Sequence, residues 1–269
     1  MQKFLFHKEA VLGDIRSPVY INPETLFRCA AKSETLEKVV SVCMSLSADE
    51  FTTTMVEAYR KGISNFGDSW GYVDITSLLY SVAELGQPEN YLEIGVRRGR
   101  SACMVASASP DTTIYAFDMW QENYAANDNL GPDFVKSELQ KIGHAGRIEF
   151  VSGDSHQTLP KFFSENPGLS FDLITVDGDH SLEGAWADLC DVVGKLRIGG
   201  VIVFDDIDNP YCPGLIDVWD RFLKAYPELH GMTVYNPLGL GVAFAIKMRD
   251  AKFVKPKPEK KGISSWLKF

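Results

Sequence analysis

The stretch Asn90-Tyr-Leu-Glu93-Ile-Gly95-Val-Arg-Arg-Gly99-Arg-Ser101 decides how the chain folds. Residues 91–94 read as a short apolar strand carrying one acid, Glu93. Gly95 and Gly99 follow, and a helix-like run opens at Ser101. Strand, glycine turn and helix N-terminus in that order build the nucleotide crevice of an open α/β sheet. Glycine has no Cβ, so the backbone at such a turn can approach a ligand closely.

Outward from this turn, strands and helices alternate. Strands are expected at 113–118, 147–152, 171–177 and 201–205, as near-continuous β-branched or aromatic runs. Such runs suit a parallel sheet covered on both faces. The intervening helices are predicted at 132–142, 155–163, 182–196 (stopped by Gly199-Gly200) and 214–226. Two last strands, 232–235 and 241–246, are joined by too few residues for a crossover helix, which predicts an antiparallel hairpin at one edge. Upstream, 24–46 has the spacing of one helix. Ser47-Ala-Asp-Glu50 fits a capping box that opens another through Lys61. A helix over 75–85 leads into the opening strand. The expected division is a helical N-terminal extension over 1–69, an α/β domain over 70–250 and a basic tail over 251–269.

Composition narrows the function classes. The 269 residues are 45% apolar and 23% charged, ordinary for a globular chain with a sizeable core. A net charge of −9 argues against a nucleic-acid partner, which needs a basic face. Five cysteines without a C-x-x-C spacing predict reduced thiols and a cytoplasmic location rather than a disulfide framework or zinc site. No signal peptide and no membrane span are expected from the apolar runs. The tail, with its lysines, Trp266 and Phe269, suits a solvated segment or a weak contact with an acidic surface. The sequence leaves oligomeric state open, a homo-oligomer included.

Acids end several strands in succession: Asp118 the second, Asp177 the fourth, Asp205 and Asp206 the fifth, with Glu93 inside the first. In a parallel sheet these ends share the ligand-binding edge. Burying so many carboxylates without partners is costly, which favours a functional site. Asp118, 23 residues beyond Gly95, suits a carboxylate accepting two ribose hydroxyls. The middle glycine of G-x-G-x-x-G is absent, and Glu93 would repel a pyrophosphate. An acid beside G-x-x-x-G better suits a ligand with a cationic amino-acid end, such as S-adenosylmethionine.

These segments resemble class I S-adenosylmethionine-dependent methyltransferases. Glu93-Ile-Gly95-Val-Arg-Arg-Gly99-Arg-Ser101 is similar to their first motif, 114–120 to the ribose strand, and Val151-Ser-Gly153-Asp154-Ser155 to the segment lining the adenine. Asp177-Gly-Asp179-His180 and Gly199-Gly-Val-Ile-Val-Phe-Asp205-Asp206 resemble the branch of macrocin-type O-methyltransferases and cephalosporin-hydroxylase-like proteins. The resemblance covers residues 70–247. It implies a Rossmann-like, seven-stranded, mostly parallel sheet with an antiparallel C-terminal hairpin and helices on both faces. It also implies that Glu93, Gly95, Gly99, Ser101, Asp118, Asp154 and Ser155 hold the cofactor, with His156 bordering the adenine. In that branch an acid ending strand four and two ending strand five often hold a divalent cation, which points to Asp177, Asp205 and Asp206. Strands ~4.8 Å apart allow their terminal carboxylates to meet on one Mg²⁺. Consecutive strand residues face opposite ways, so Asp205 and Asp206 share an ion only if the strand ends there. His180 is the expected base that takes the hydroxyl proton, with Asp179 orienting it or serving as the base itself.

The expected activity is methyl transfer to a hydroxyl of a small molecule of sugar or natural-product type, with Mg²⁺ assisting. The alternatives are a nicotinamide-dependent oxidoreductase on the same crevice and a non-catalytic binding protein. Asp208-Asn-Pro-Tyr211 resembles the [D/N]-P-P-[Y/F] motif of amino-methyltransferases, but it follows strand five and lacks the second proline, so it reads as a substrate-side loop. The acceptor pocket is assigned to the N-terminal region and to loops 120–131 and 207–213.

Overall fold

The computed structural model describes residues 19–121, 130–236 and 238–250. The N-terminal 18 residues, the tail beyond Asp250 and most of loop 120–131 lie outside the described residues. Seven strands form one sheet in the order β3-β2-β1-β4-β5-β7-β6. They are β1 (Asn90–Ile94), β2 (Thr113–Asp118), β3 (Ile148–Ser152), β4 (Phe171–Val176), β5 (Leu196–Asp205), β6 (Leu229–Val234) and β7 (Val242–Lys247). β1 through β5 pair in parallel; β7 runs antiparallel to β5 and to β6, as the short connection requires. The strand order reverses between β1 and β4, and that switch point is where an open α/β sheet leaves a crevice.

The sheet faces bury separate cores because successive strand side chains alternate. Tyr91, Leu173, Val203 and Phe244 join one cluster, beneath α1 (Pro23–Ala30), α2 (Ser33–Ser45), α3 (Glu50–Phe66), α4 (Ile75–Gly86) and α5 (Arg100–Ala108). Leu92, Ile174, Phe204 and Ala243 join the other, under α7 (Ser155–Glu165), α8 (Leu182–Val193) and α9 (Leu215–Ala225). α6 (Gly131–Lys141) adds Val135 and Leu139 to the first. The N-terminal helices thus share their core with the sheet.

Three local expectations need correction. The helix expected over 24–46 is two, α1 and α2, turned at Ala31 and Lys32. The corner is held by one long-range and one local bond: Asp68 Oδ1 accepts from the Ser33 amide at 2.8 Å, and Thr35 Oγ1 donates to the Cys29 carbonyl at 2.8 Å. α3 is capped by Asp49, which accepts from the Thr52 amide at 2.6 Å. Ser47 instead bonds Glu138 of α6 through its amide at 2.6 Å and its hydroxyl at 2.8 Å. Gly199-Gly200 does not stop α8, which ends at Val193; both glycines lie inside β5. The β4–β5 register shifts there, and a Cβ on Gly200 would sit 2.8 Å from the Arg197 carbonyl and 3.0 Å from that of Asp172. A bulge needs a residue without a side chain at such an approach.

All five cysteines are free. No helix among the described residues is long and apolar enough to cross a membrane.

Candidate active site

The glycine turn is closed by the protein itself. A Cβ on Gly95 (φ +83°) would lie 1.9 Å from the Asp177 carbonyl oxygen, and one on Gly99 (φ +72°) 2.6 Å from a Val135 methyl. Both glycines are therefore required by internal packing, which sequence reasoning had assigned to ligand approach. Asp118, at the end of β2, gathers the turn: its Oδ2 accepts from the Val96 and Arg97 amides, each at 2.8 Å, and its Oδ1 from the Trp120 amide at 2.6 Å. Trp120 lies over Phe150 and donates from its indole to Ser152 at 3.0 Å. Asp49 holds the turn from the N-terminal side, 3.0 Å from Arg98 and 3.4 Å from Arg100.

Glu93 is wholly buried under the turn. The Ser101 hydroxyl donates to its Oε1, and its Oε2 has no partner. Burial pushes its pKa up to about 8; Ser101 opposes that shift, while Asp177 and Asp118 add to it. Beyond β3, Asp154 caps α7, accepting from the His156 amide at 2.9 Å, with Ser155 as the first helical residue.

The ends of β4 and β5 carry the densest charge. Ligand atoms of Asp177, His180 and Asp206 all lie within 4.8 Å of one another. His180 Nε2 is 3.4 Å from Asp177 and 3.8 Å from Asp206. The Asp177 hydrogen bond holds the His180 pKa above its ordinary value, against burial. Burial and the Asp177 charge push Asp206 up to about 6. Asp206 leaves the strand at φ +58°, so it and Asp205 part company. Asp205 is buried, its Oδ1 has no partner, and burial with the charges of Asp177, Asp206 and Asp74 holds its carboxyl well above the usual range. Of the expected trio, Asp177 and Asp206 meet at this edge together with His180, while Asp205 is turned inward and buried.

Asp179 lies outside that group. It accepts from the Ser181 amide at 2.8 Å and stands 3.4 Å from His156 Nε2. Burial works to raise its pKa, but the Ser181 and His156 hydrogen bonds outweigh it and hold the carboxyl low. On its other side, His156 Nδ1 is 3.4 Å from Asp188 of α8, a fully buried carboxylate. Burial pushes Asp188 up to about 6. Sequence reasoning missed Asp188, which reads as one polar position on an apolar helix. It also missed Asn209, whose side chain donates to Asp206 at 3.0 Å and accepts from the Tyr211 amide at 2.9 Å. An Asn followed by Pro in a loop was the available signal.

Residues 92–207, from β1 past the end of β5, match the model of a methyltransferase domain family. This segment is similar to a methyltransferase domain. It contains the glycine turn, Asp118, Asp154 and the acids of β4 and β5. Caffeoyl-CoA O-methyltransferase 1 of Eucalyptus globulus is 32% identical over 134 residues, 49% of this chain and 50% of that protein. Catechol O-methyltransferase B of Danio rerio is 29% identical over 166 residues, 59% of this chain and 54% of that protein. The chain thus spans about half the length of the curated relatives it matches. Among solved structures, the TDP-rhamnose 3'-O-methyltransferase CalS11 superposes with a TM-score of 0.49 at 22% identity, over 85% of this chain and 96% of that one. TomG of Streptomyces achromogenes, in complex with S-adenosylmethionine, gives 0.49 at 20% identity, over 76% and 92%.

Proposed function

We propose that the chain transfers the methyl group of S-adenosylmethionine to a hydroxyl of a small molecule, with Mg²⁺ or another divalent cation at the β4–β5 edge. The observation that carries this reading is the meeting, at one sheet edge, of the methyltransferase-domain turn with the Asp177–His180–Asp206 group. S-adenosylmethionine supplies an electrophilic sulfonium methyl when bound. Asp118 and Asp154, at and just past the ends of the neighbouring strands β2 and β3, would take the ribose and the adenine. The orphaned Oε2 of Glu93 fits a cationic neighbour, which would draw the carboxyl back toward its ionised form. Gly95, Gly99 and Ser101 shape the turn around that end of the ligand.

Asp177, His180 and Asp206 would hold the cation, their two carboxylates and one imidazole leaving positions for water and an acceptor oxygen. A divalent ion supplies Lewis-acid lowering of the acceptor hydroxyl's pKa when bound. With His180 among the ligands, Asp179 becomes the proton acceptor, and His156 orients it from the side away from the cation group. The free thiols suit a cytoplasmic protein.

The decisive experiment is a thermal-shift panel with the full chain: S-adenosylmethionine, S-adenosylhomocysteine and NAD, each with Mg²⁺ or chelator. Stabilisation by the two adenosyl ligands and not by NAD is the expected result. Stabilisation by NAD alone would replace this reading with the oxidoreductase.

A further inference from the structure

Beneath the glycine turn, folding leaves one carboxyl oxygen unserved. Glu93 is wholly buried; its Oε1 takes the Ser101 hydroxyl, and its Oε2 has no partner among the described residues. Tyr91, two residues back on the same face of β1, donates its hydroxyl proton to Thr175 Oγ1 at 2.9 Å. An ionised carboxylate with a bare oxygen in the interior gives up its hydration and gains little in exchange.

The neighbours of Glu93 work the same way. Asp177 after β4 and Asp118 at the end of β2 carry the charge that Glu93 would carry, and both disfavour its ionisation. Tyr91 on β1 and Cys103 on α5 are held protonated by burial and bring no positive charge. The Ser101 hydroxyl acts for the ionised form, Tyr91 more weakly, and burial outweighs both. The ligand-free carboxyl therefore keeps its proton at neutral pH.

The route to solvent runs through Ser101. Its hydroxyl bonds Oε1, yet the residue itself is only half-buried, as is Gly95 in the turn. The acid is thus one hydroxyl away from the surface on which a ligand would lie. A cation docked there acts on Glu93 through a medium that screens far less than water. An opposite charge at such range favours the ionised form.

Resting on the methyltransferase reading, we infer that the chain takes up its cofactor by exchange: the cofactor's ammonium settles against the turn over Glu93, and the Glu93 proton leaves to solvent. No bond to carbon or sulfur changes in this step. A neutral acid and a free ammonium become an ion pair and one released proton. S-adenosylhomocysteine carries the same ammonium, so the proton returns only when the product departs. It is separate from the proton that the acceptor hydroxyl gives up. Because binding releases a proton, cofactor affinity climbs with pH in the range where ligand-free Glu93 is still protonated.

The test counts protons. The full chain is titrated calorimetrically with S-adenosylhomocysteine at about pH 6.5, where an α-amino group is an ammonium. PIPES and imidazole serve as buffers, since their ionisation enthalpies differ and the change in apparent heat gives the protons released. Close to one proton per ligand should be released, and affinity should rise about tenfold between about pH 6 and 7. 5'-Methylthioadenosine, which has the adenosine and the sulfur but no amino-acid end, should release close to none, and so should S-adenosylhomocysteine with Glu93→Gln. Binding of S-adenosylhomocysteine to the parent without proton release overturns the inference. Equal release with methylthioadenosine, or release that survives in Glu93→Gln, overturns it as well by placing the proton on another group. Where one of these two controls does not bind, the other decides, and the parent's own proton count and pH dependence stand without either. Failure of S-adenosylhomocysteine to bind the parent at all overturns the methyltransferase reading instead, and the exchange with it.

Discussion

The turn after β1 and the edge formed by β4 and β5 lie side by side, yet they treat polar groups in opposite ways. At the turn, the backbone is closed by partners inside the protein, Gly95 against the Asp177 carbonyl, Gly99 against Val135 and Asp118 under three amides, and Glu93 below it keeps one orphaned oxygen. At the edge, Asp177, His180 and Asp206 crowd together, Asp205 keeps an orphaned oxygen, and burial lifts the acids. One region is finished by folding. The other holds like charges in a concentration that only a cation or a substrate relieves. Shape is settled where the cofactor would sit, and electrostatic tension is kept where chemistry would occur.

The contrast can be broken most sharply at Gly95. Gly95→Ala places a methyl against the Asp177 carbonyl in a left-handed backbone, and should cost more than about 3 kcal/mol of stability in urea unfolding. A near-neutral result would mean that the turn is not closed by packing. Next in size, Asp206→Ala should lower methyl transfer by about 10²–10³-fold while leaving the thermal shift with S-adenosylhomocysteine intact. Loss of both together would erase the division of labour between the two regions.

Mg²⁺ itself should raise the melting point of the parent chain. At a hundredfold excess over its dissociation constant the stabilisation is about 2.7 kcal/mol, and it should vanish in Asp206→Ala. Asp188→Asn should lower turnover roughly tenfold, as loss of an outer partner does, through His156 rather than through the cofactor. Its KM for S-adenosylmethionine should stay unchanged, and a change confined to that KM would move Asp188 to the cofactor side.

The last effect concerns pH. Glu93 has a folded pKa raised to about 8 from an ordinary 4.5. Its contribution to the ligand-free fold is therefore complete below the unfolded value and is lost as pH rises through about 8. The melting point should fall between about pH 5 and 8 and level off above, and Glu93→Gln should flatten that slope. A slope unchanged in the variant would place the titration elsewhere.

Most of the fold was legible because periodicity carries it. The parallel strands announced themselves as apolar runs, and the final hairpin followed from a connection too short to cross over. Gly199-Gly200 misled because a glycine pair that ends a helix and one that opens a bulge look alike before register is known. The α1–α2 corner was hidden because Asp68, which fixes it, lies 35 residues from Ser33. At the site, strand-end acids could be read from the alternation of elements. The parting of Asp205 from Asp206 depends on one backbone angle, and the Asp188–His156 contact on how two helices pack. Strand alternation hints at the first; the second leaves no trace in local spacing.

The clamp of Asp49 on Arg98 and Arg100 has a kinetic consequence. The helical layer grips the loop before any ligand arrives, and Asp118 fixes it from below. Among the described residues the turn is set without a ligand, so its own part in capturing the cofactor should run at the pace of diffusive encounter and orientation. Residence time, rather than arrival, then becomes the quantity that mutations in this loop alter.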